Sequence, residues 1–276
     1  MTYEHRRKNF NGDYDCALHG RTDNRVEEKK MIKLENTEVF GWEAAIRGMR
    51  NPKNSWDKSD SVPNPGGLMA GIIFGANDLK LAKTLAKAGP DHGKLMRYLT
   101  VQVDITAPFY WWKEFKTYRS GRQFMDEGDE FLDPEELELH IETNSCSTMH
   151  KIHDKEFTLD DFSWEHLLNT GCDLFEREWD NGLFKTIVQP TGFLIEYIIP
   201  VLNKCREMYL ETHDKDYWWQ MIQLLPSSYN QLRTVQLNYW VLRRMYHARK
   251  NHKLDEWREF CKWIESLPYS ELITEE

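Results

Sequence analysis

Asn238 and Arg249 stand eleven positions apart in a stretch that follows Pro226 and holds neither Gly nor Pro for about twenty residues. On a helix, at about 100° and 1.5 Å per residue, they would return to nearly one face roughly 16 Å apart. An amide and a guanidinium so placed suit a ligand with a base at one end and a phosphate at the other. A second group lies in Asn144 to His150 (NSCSTMH), where the hydroxyls of Ser145, Ser147 and Thr148 offer hydrogen bonds to a ligand or to helix ends. Lys113, Glu114, Lys116 and Arg119 run along the aromatic segment FYWWKEFKTYR. His150, His153 and Asp154 have helical spacing for zinc, but no third ligand is specified, and capping or ligand contact is the better reading. There is no Gly-rich phosphate loop, Gly-x-Ser-x-Gly elbow or Gly-Lys-Ser/Thr triplet, which removes the commonest hydrolase and nucleotide-triphosphatase readings.

The elements that must position these groups follow from periodicity. Apolar Val235, Leu237, Trp240, Val241, Leu242, Met245 and Ala248 recur at three and four, which predicts one long helix behind Ser227 and Ser228 as capping residues. Tyr98 to Ile105 (YLTVQVDI) alternates with period two and predicts a strand, as does Met31 to Phe40. Trp42 to Met49 predicts a helix closed by Asn51-Pro52. Asn77 and Asp78 predict the cap of a helix over Leu79 to Ala88, ended by Gly89-Pro90. Ala107-Pro108 turns the chain into an aromatic helix, Phe109 to Tyr118. Phe157 to Leu168 predicts a helix that starts at Thr158 with Asp161 in the capping-box place. Pro200 interrupts the apolar stripe of Pro190 to Thr212, so a kinked helix or two short ones are expected there. A further apolar segment, Asp216 to Leu225, leads into the long helix.

At 276 residues the chain can bury a sizeable core, and one domain over 31–276 is expected behind a polar arm at 1–30. Residues 120–143 hold nine carboxylates and, after Arg122, no Lys or Arg; such a run reads as a solvated insertion. The net charge of −9 argues against a nucleic-acid polymer as partner, because phosphate neutralisation needs a basic surface, though a small anionic nucleotide fits a local basic pocket. No apolar run is long enough for a membrane span and the N-terminus has no apolar leader core, so a soluble, cytoplasmic protein is expected. Cys16, Cys146, Cys172, Cys205 and Cys261 are scattered, with no CxxC pair, so neither a disulfide framework nor a zinc site is suggested, and most of them read as core thiols. The tryptophans, paired at Trp111-Trp112 and Trp218-Trp219, read as core and subunit interface before stacking platforms.

The order of these features resembles the flavin-dependent thymidylate synthases over roughly residues 38–265. Trp42 to Met49, Asn77 to Ala88, His92, Tyr98 to Ile105, Ala107-Pro108, Phe109 to Arg119 and Asn144-Ser145-Cys146-Ser147 occur in the family's order. Behind them come Leu225-Pro226, Asn238, Arg249 and Trp257. The resemblance implies an α+β fold with a central antiparallel sheet flanked by long helices. It implies FAD as cofactor, a deoxyuridine nucleotide as substrate, a reduced folate and NADPH as co-substrates, and a homotetramer whose active sites are shared between subunits. It carries His92, Arg119 and Asn238 to the flavin, and Glu114, Asn144, Ser145, Ser147 and Arg249 to the nucleotide. No catalytic residue is assigned.

The signature itself is rewritten. Thr117-Tyr118-Arg119 replaces Arg-His-Arg, Glu114 replaces a glutamine, and Ser145 replaces a glutamate. Met149 replaces an arginine, His150 a tyrosine, and Ile222 a further arginine. Each lost arginine removes a charge-assisted phosphate contact of roughly 1.5–3 kcal/mol. Two readings therefore stand: a flavoenzyme acting on a pyrimidine deoxynucleotide by one-carbon transfer or a related modification, and a non-catalytic or repurposed relative that binds a nucleotide or a protein. Read alone, Arg249 is a helix C-terminal cation facing the dipole.

Overall fold

The computed structural model describes residues 31–64, 71–119, 141–169, 175–179 and 184–276. The arm expected at 1–30 and residues 120–140 of the acidic run lie outside them. Four strands form the central sheet: β1 (Lys33–Phe40), β4 (Thr100–Pro108), β8 (Asn230–Asn238) and β5 (Glu142–Ser145), in the order β1-β4-β8-β5 and antiparallel throughout. The short strands β2 (Val62–Pro63) and β3 (Ile72–Ile73) pair with each other, and so do β6 (Phe175–Trp179) and β7 (Phe184–Val188).

The sheet is buried on the face of Val101, Val103, Ile105, Val235 and Leu237, each at most 1% exposed. Over that face pack α1 (Trp42–Arg50), α2 (Ala76–Lys87), the short α3 (Leu95–Tyr98) and α4 (Phe109–Phe115). Alternation along β4 needs only its own Val, Ile and Ala residues, and the strand falls close to where its pattern predicts. Gly41 makes the turn between β1 and α1 at φ 92°, and a Cβ there would stand 1.9 Å from the Tyr98 carbonyl oxygen, so only glycine fits. A second apolar cluster joins Ile152, Phe157 and Phe162 to Leu194 and Ile198 behind the short α5 (Pro190–Phe193), and to α6 (Ile199–Thr212) and α7 (Lys215–Leu224). A π turn, Leu194–Ile198, links α5 to α6 just before Pro200, so the interruption expected at that proline takes the form of a widened turn.

Four sequence expectations need correction. The stretch behind Pro226 is not one helix: it is β8, then α8 (Tyr239–Arg249) and α9 (Asp255–Glu265), with the short α10 (Glu271–Thr274) following. Val235 and Leu237 do lie inward, but so do Gln231 and Arg233, at a period of two, and β8 is bonded on both sides by β4 and β5. Polar residues on the inner positions and exposed Leu232 on the outer disguised that period. Ser227 and Ser228 cap no helix of their own; the Ser227 carbonyl accepts from the Tyr110 N–H and the Tyr229 carbonyl from the Phe109 N–H, which satisfies the first turn of α4.

The cap of α2 is also not Asn77-Asp78. The Asp60 carboxylate accepts from the Asn77 and Asp78 N–H groups at 2.9 and 3.0 Å. Asp78 is itself buried, and accepts from Arg50 Nε at 2.8 Å and from the Ser59 and Ser61 hydroxyls at 2.7 Å. Phe157 to Leu168 forms a 3₁₀ turn, Leu159–Asp161, rather than a helix, yet the Thr158/Asp161 box closes as expected. Among the described residues no helix is long and apolar enough to cross a membrane.

Candidate functional site

Helix α4 and the 3₁₀ turn behind it (Lys116–Arg119) present chemistry on two faces. Glu114 and Tyr118, four residues apart, meet the end of α8 and the start of α9. Arg249 Nη1 lies 3.1 Å from Glu114 Oε2, and its Nε donates to the Tyr118 hydroxyl at 2.8 Å. The guanidinium also sits 4.9 Å over the Trp257 ring and 5.5 Å over that of Tyr118. Glu114 Oε2 takes a second partner, Trp257 Nε1 at 3.0 Å, and His252 Nε2 stands 3.6 Å away. Burial raises the Tyr118 phenol above its ordinary value although Arg249 pulls it down, so it stays protonated and accepts from the guanidinium. Glu114 and Arg249, both expected at the nucleotide, are thus brought together as an ion pair.

The other face, Phe109, Trp112, Lys113 and Lys116, follows the i, i+3, i+4, i+7 spacing of one helical stripe. It overlooks a cleft of about 640 Å³ between α4, β5, β8 and the turn behind α7. That is within the roughly 300–1,000 Å³ usual for small-molecule sites. Lys113 and Lys116 stand at its rim, with the hydroxyls of Thr143, Ser145, Thr148 and Ser227, and Arg233 lines it from β8. Arg233 is only 8% exposed. Its guanidinium lies 4.3 Å over the Trp112 ring, and its Nε donates to Gln231 Oε1 at 3.0 Å. Gln231 in turn donates to the Cys146 carbonyl at 2.7 Å, while Trp112 Nε1 donates to the Gln231 carbonyl at 3.0 Å. No Asp or Glu is among the described residues lining the cleft.

The remaining expected residues scatter. Ser145 pairs with Arg233 in register and so shares its face of the sheet. Asn144 pairs with Thr234, on the opposite face, and is exposed. Ser147 is exposed and its hydroxyl accepts from the His150 N–H at 2.9 Å, closing a turn. Arg119 ends the 3₁₀ turn. Asn238 does not lie on a helix face beside Arg249; it is the N-cap of α8, accepting from the Val241 N–H at 3.0 Å. His92 is exposed in the turn before α3, next to Gly93, which abuts the Trp240 ring. His92 and Asn238 therefore belong to the Thr100–Asn238 end of the β4–β8 pair, whereas the cleft is near the Pro108–Asn230 end. From Asn238 back to Arg233 is five residues, roughly 17 Å of strand.

Sequence reasoning passed over Arg233, Gln231 and Trp112. The only sequence signal was the short alternation Val235-Gln236-Leu237; extended back by two and four residues it puts Arg233 and Gln231 on inward positions.

In class, the described chain is an α+β protein built on a four-stranded antiparallel sheet with a polar, cation-lined cleft at one end. Among the solved structures that resemble it are two of one enzyme type. One is a crystal structure of thymidylate synthase X from Helicobacter pylori with FAD and dUMP: 15% identity, 88% of this chain and 96% of that chain covered, TM-score 0.53. The other is flavin dependent thymidylate synthase ThyX from the same organism, complexed with FAD and dUMP: 15% identity, 89% and 98% covered, TM-score 0.54. The fold is that of the flavin-dependent thymidylate synthases. No protein-family model matches the sequence, and no curated protein matches it.

Proposed function

We propose that this protein is a flavin-dependent enzyme acting on a pyrimidine deoxynucleotide, with thymidylate synthase-like one-carbon transfer to dUMP or a related modification as the reaction. The observation that carries the reading is the cleft beside Ser145, where two lysines, a buried arginine and four hydroxyls surround a space of nucleotide size. Bound FAD would supply the hydride chemistry, with a reduced folate as carbon donor and NADPH as reductant. The Thr100–Asn238 end fits a flavin by its chemistry: His92 is exposed, and the exposed Arg97 lies 5.7 Å over the half-buried Trp240 ring. Its cationic and aromatic groups suit the phosphates and the ring system.

The flavin end and the cleft lie roughly 17 Å apart along β8, within the combined reach of an extended dinucleotide and a mononucleotide. The homotetramer with sites shared between subunits is the assembly the resemblance implies. In this reading the chain's own residues bind and orient: the cleft holds the nucleotide, and Asn238 and His92 meet the cofactor.

The pairing of Arg249 with Glu114 favours a second reading, a nucleotide-binding protein without catalysis, because it occupies a cation expected at the substrate. Purified protein separates the two. A yellow flavin spectrum that bleaches with dithionite, together with a methylated product from dUMP, reduced folate and NADPH by mass spectrometry, is expected of the enzyme. Protein that stays colourless after FAD is offered, yet binds dUMP, would leave the second reading alone.

A further inference from the structure

The rewritten signature positions have a common geometric outcome. Glu114 and Tyr118, where a glutamine and a histidine are expected from the resemblance, both bind Arg249 and tie it to Trp257. Across the same helix, Lys113, Lys116 and Arg233 gather around the cleft. We propose that the cleft is the protein's phosphate site, with Arg233 as its buried anchor and Lys113 and Lys116 at its rim, and that Arg249 makes no ligand contact. The proposal rests on the nucleotide reading for the identity of the ligand, and on the cleft alone for the phosphate.

Three observations support it. Arg233 is fixed before any ligand arrives: Trp112 supports the flat guanidinium face and Gln231 holds Nε, itself held by the Cys146 carbonyl. A cation so fixed loses little side-chain entropy on binding, and a guanidinium offers a planar fork that matches a phosphate. The rim supplies what remains of a phosphate shell. Lys113 and Lys116 are exposed cations one turn or less apart, and Ser145, Thr148 and Ser227 bring hydroxyl donors. Finally, on a chain with a net charge of −9, the described lining of the cleft gathers three cations, Lys113, Lys116 and Arg233.

Calorimetry on the full chain tests the assignment with inorganic pyrophosphate, dUMP and deoxyuridine as probes. The wild type is expected to bind pyrophosphate and dUMP, and R233Q to weaken both by about 10- to 100-fold, the loss typical of one charge-assisted contact. Deoxyuridine, which lacks the phosphate, should bind R233Q and wild type equally. The exposed pair K113A/K116A should also lose affinity for both phosphate probes and show a shallower salt dependence, with no effect on folding. R249A should stay within about threefold of wild type.

Wild-type protein that binds neither pyrophosphate nor dUMP would overturn the assignment, as would phosphate affinity unchanged in both R233Q and K113A/K116A, or a loss that falls on R249A instead. If pyrophosphate binds through the cleft residues and dUMP binds no tighter, the phosphate site stands and the pyrimidine reading fails.

Discussion

Arg249→Ala is the perturbation that most directly separates structure from ligand binding. The guanidinium makes a 3.1 Å ion pair with Glu114, a 2.8 Å hydrogen bond to Tyr118 and a cation–π contact with Trp257. A charged hydrogen bond contributes roughly 1.5–3 kcal/mol when buried, and a cation–π contact about 0.5–1 kcal/mol at a wet site. The Glu114 side chain is 37% exposed, so solvent screening reduces the ionic part. A net loss of about 1.5–3 kcal/mol is expected, which for a domain of this size is a fall of roughly 3–12 °C in thermal midpoint. Glu114→Gln keeps an acceptor for Trp257 Nε1 and removes only the charge, so it should cost about 0.5–1 kcal/mol. The double variant should cost less than the sum, because the two residues are in contact. Thermal and denaturant unfolding of the four proteins, with dUMP titrated into each, gives both readouts. A midpoint unmoved in Arg249→Ala together with a tenfold or larger loss of dUMP affinity would refute the reasoning and return Arg249 to the ligand.

Asp78 gives a pH prediction. Burial raises its carboxyl, but hydrogen bonds from Ser59, Ser61 and Arg50 outweigh that and hold it below the ordinary carboxylate value. A depressed folded-state value contributes stability above the unfolded value, near pH 3.9, that is lost as pH falls through the folded one. Denaturant midpoints of the wild type should therefore drop below about pH 4. Asp78→Asn should remove part of that dependence and, by leaving Arg50 buried without its charge partner, cost about 3–5 kcal/mol at neutral pH. Equal pH profiles for the two proteins would contradict this. Gly41→Ala forces a Cβ into the Tyr98 carbonyl at φ 92°, and a loss of at least about 2 kcal/mol is expected in the same unfolding assay.

Much of the frame was legible in local chemistry. Strands β1 and β4, helices α1 and α2, the Ala107-Pro108 entry to α4 and the Thr158/Asp161 box arise from periods and caps that act over a few residues, and the structure differs from them mainly at their ends. The Asn77-Asp78 cap failed because its true acceptor, Asp60, comes from a loop some seventeen residues earlier, which no local rule selects. The ordered set of motifs led to the right fold at an identity of 15% to the structures that share it.

The candidate site depended on contacts made far along the chain. From the sequence alone, Asn238 and Arg249 could be set on one helix, since apolar residues at three and four fit a helix as readily as a strand whose inner row includes Gln231 and Arg233. Pairing with β4 and β5 decides the matter: backbone bonds on both sides make Asn230–Asn238 a strand and leave Asn238 to cap α8. Tertiary packing likewise decides what each cation does. Arg249 meets Glu114 and Tyr118 more than a hundred residues away, and Arg233 meets Trp112. The sequence by itself determined which side chains were available to hold a phosphate, because residue type sets charge and hydrogen-bonding capacity. Only the tertiary structure decided that Arg249 meets Glu114 and that Arg233 lines a cleft, because that depends on which strands and helices come to lie together.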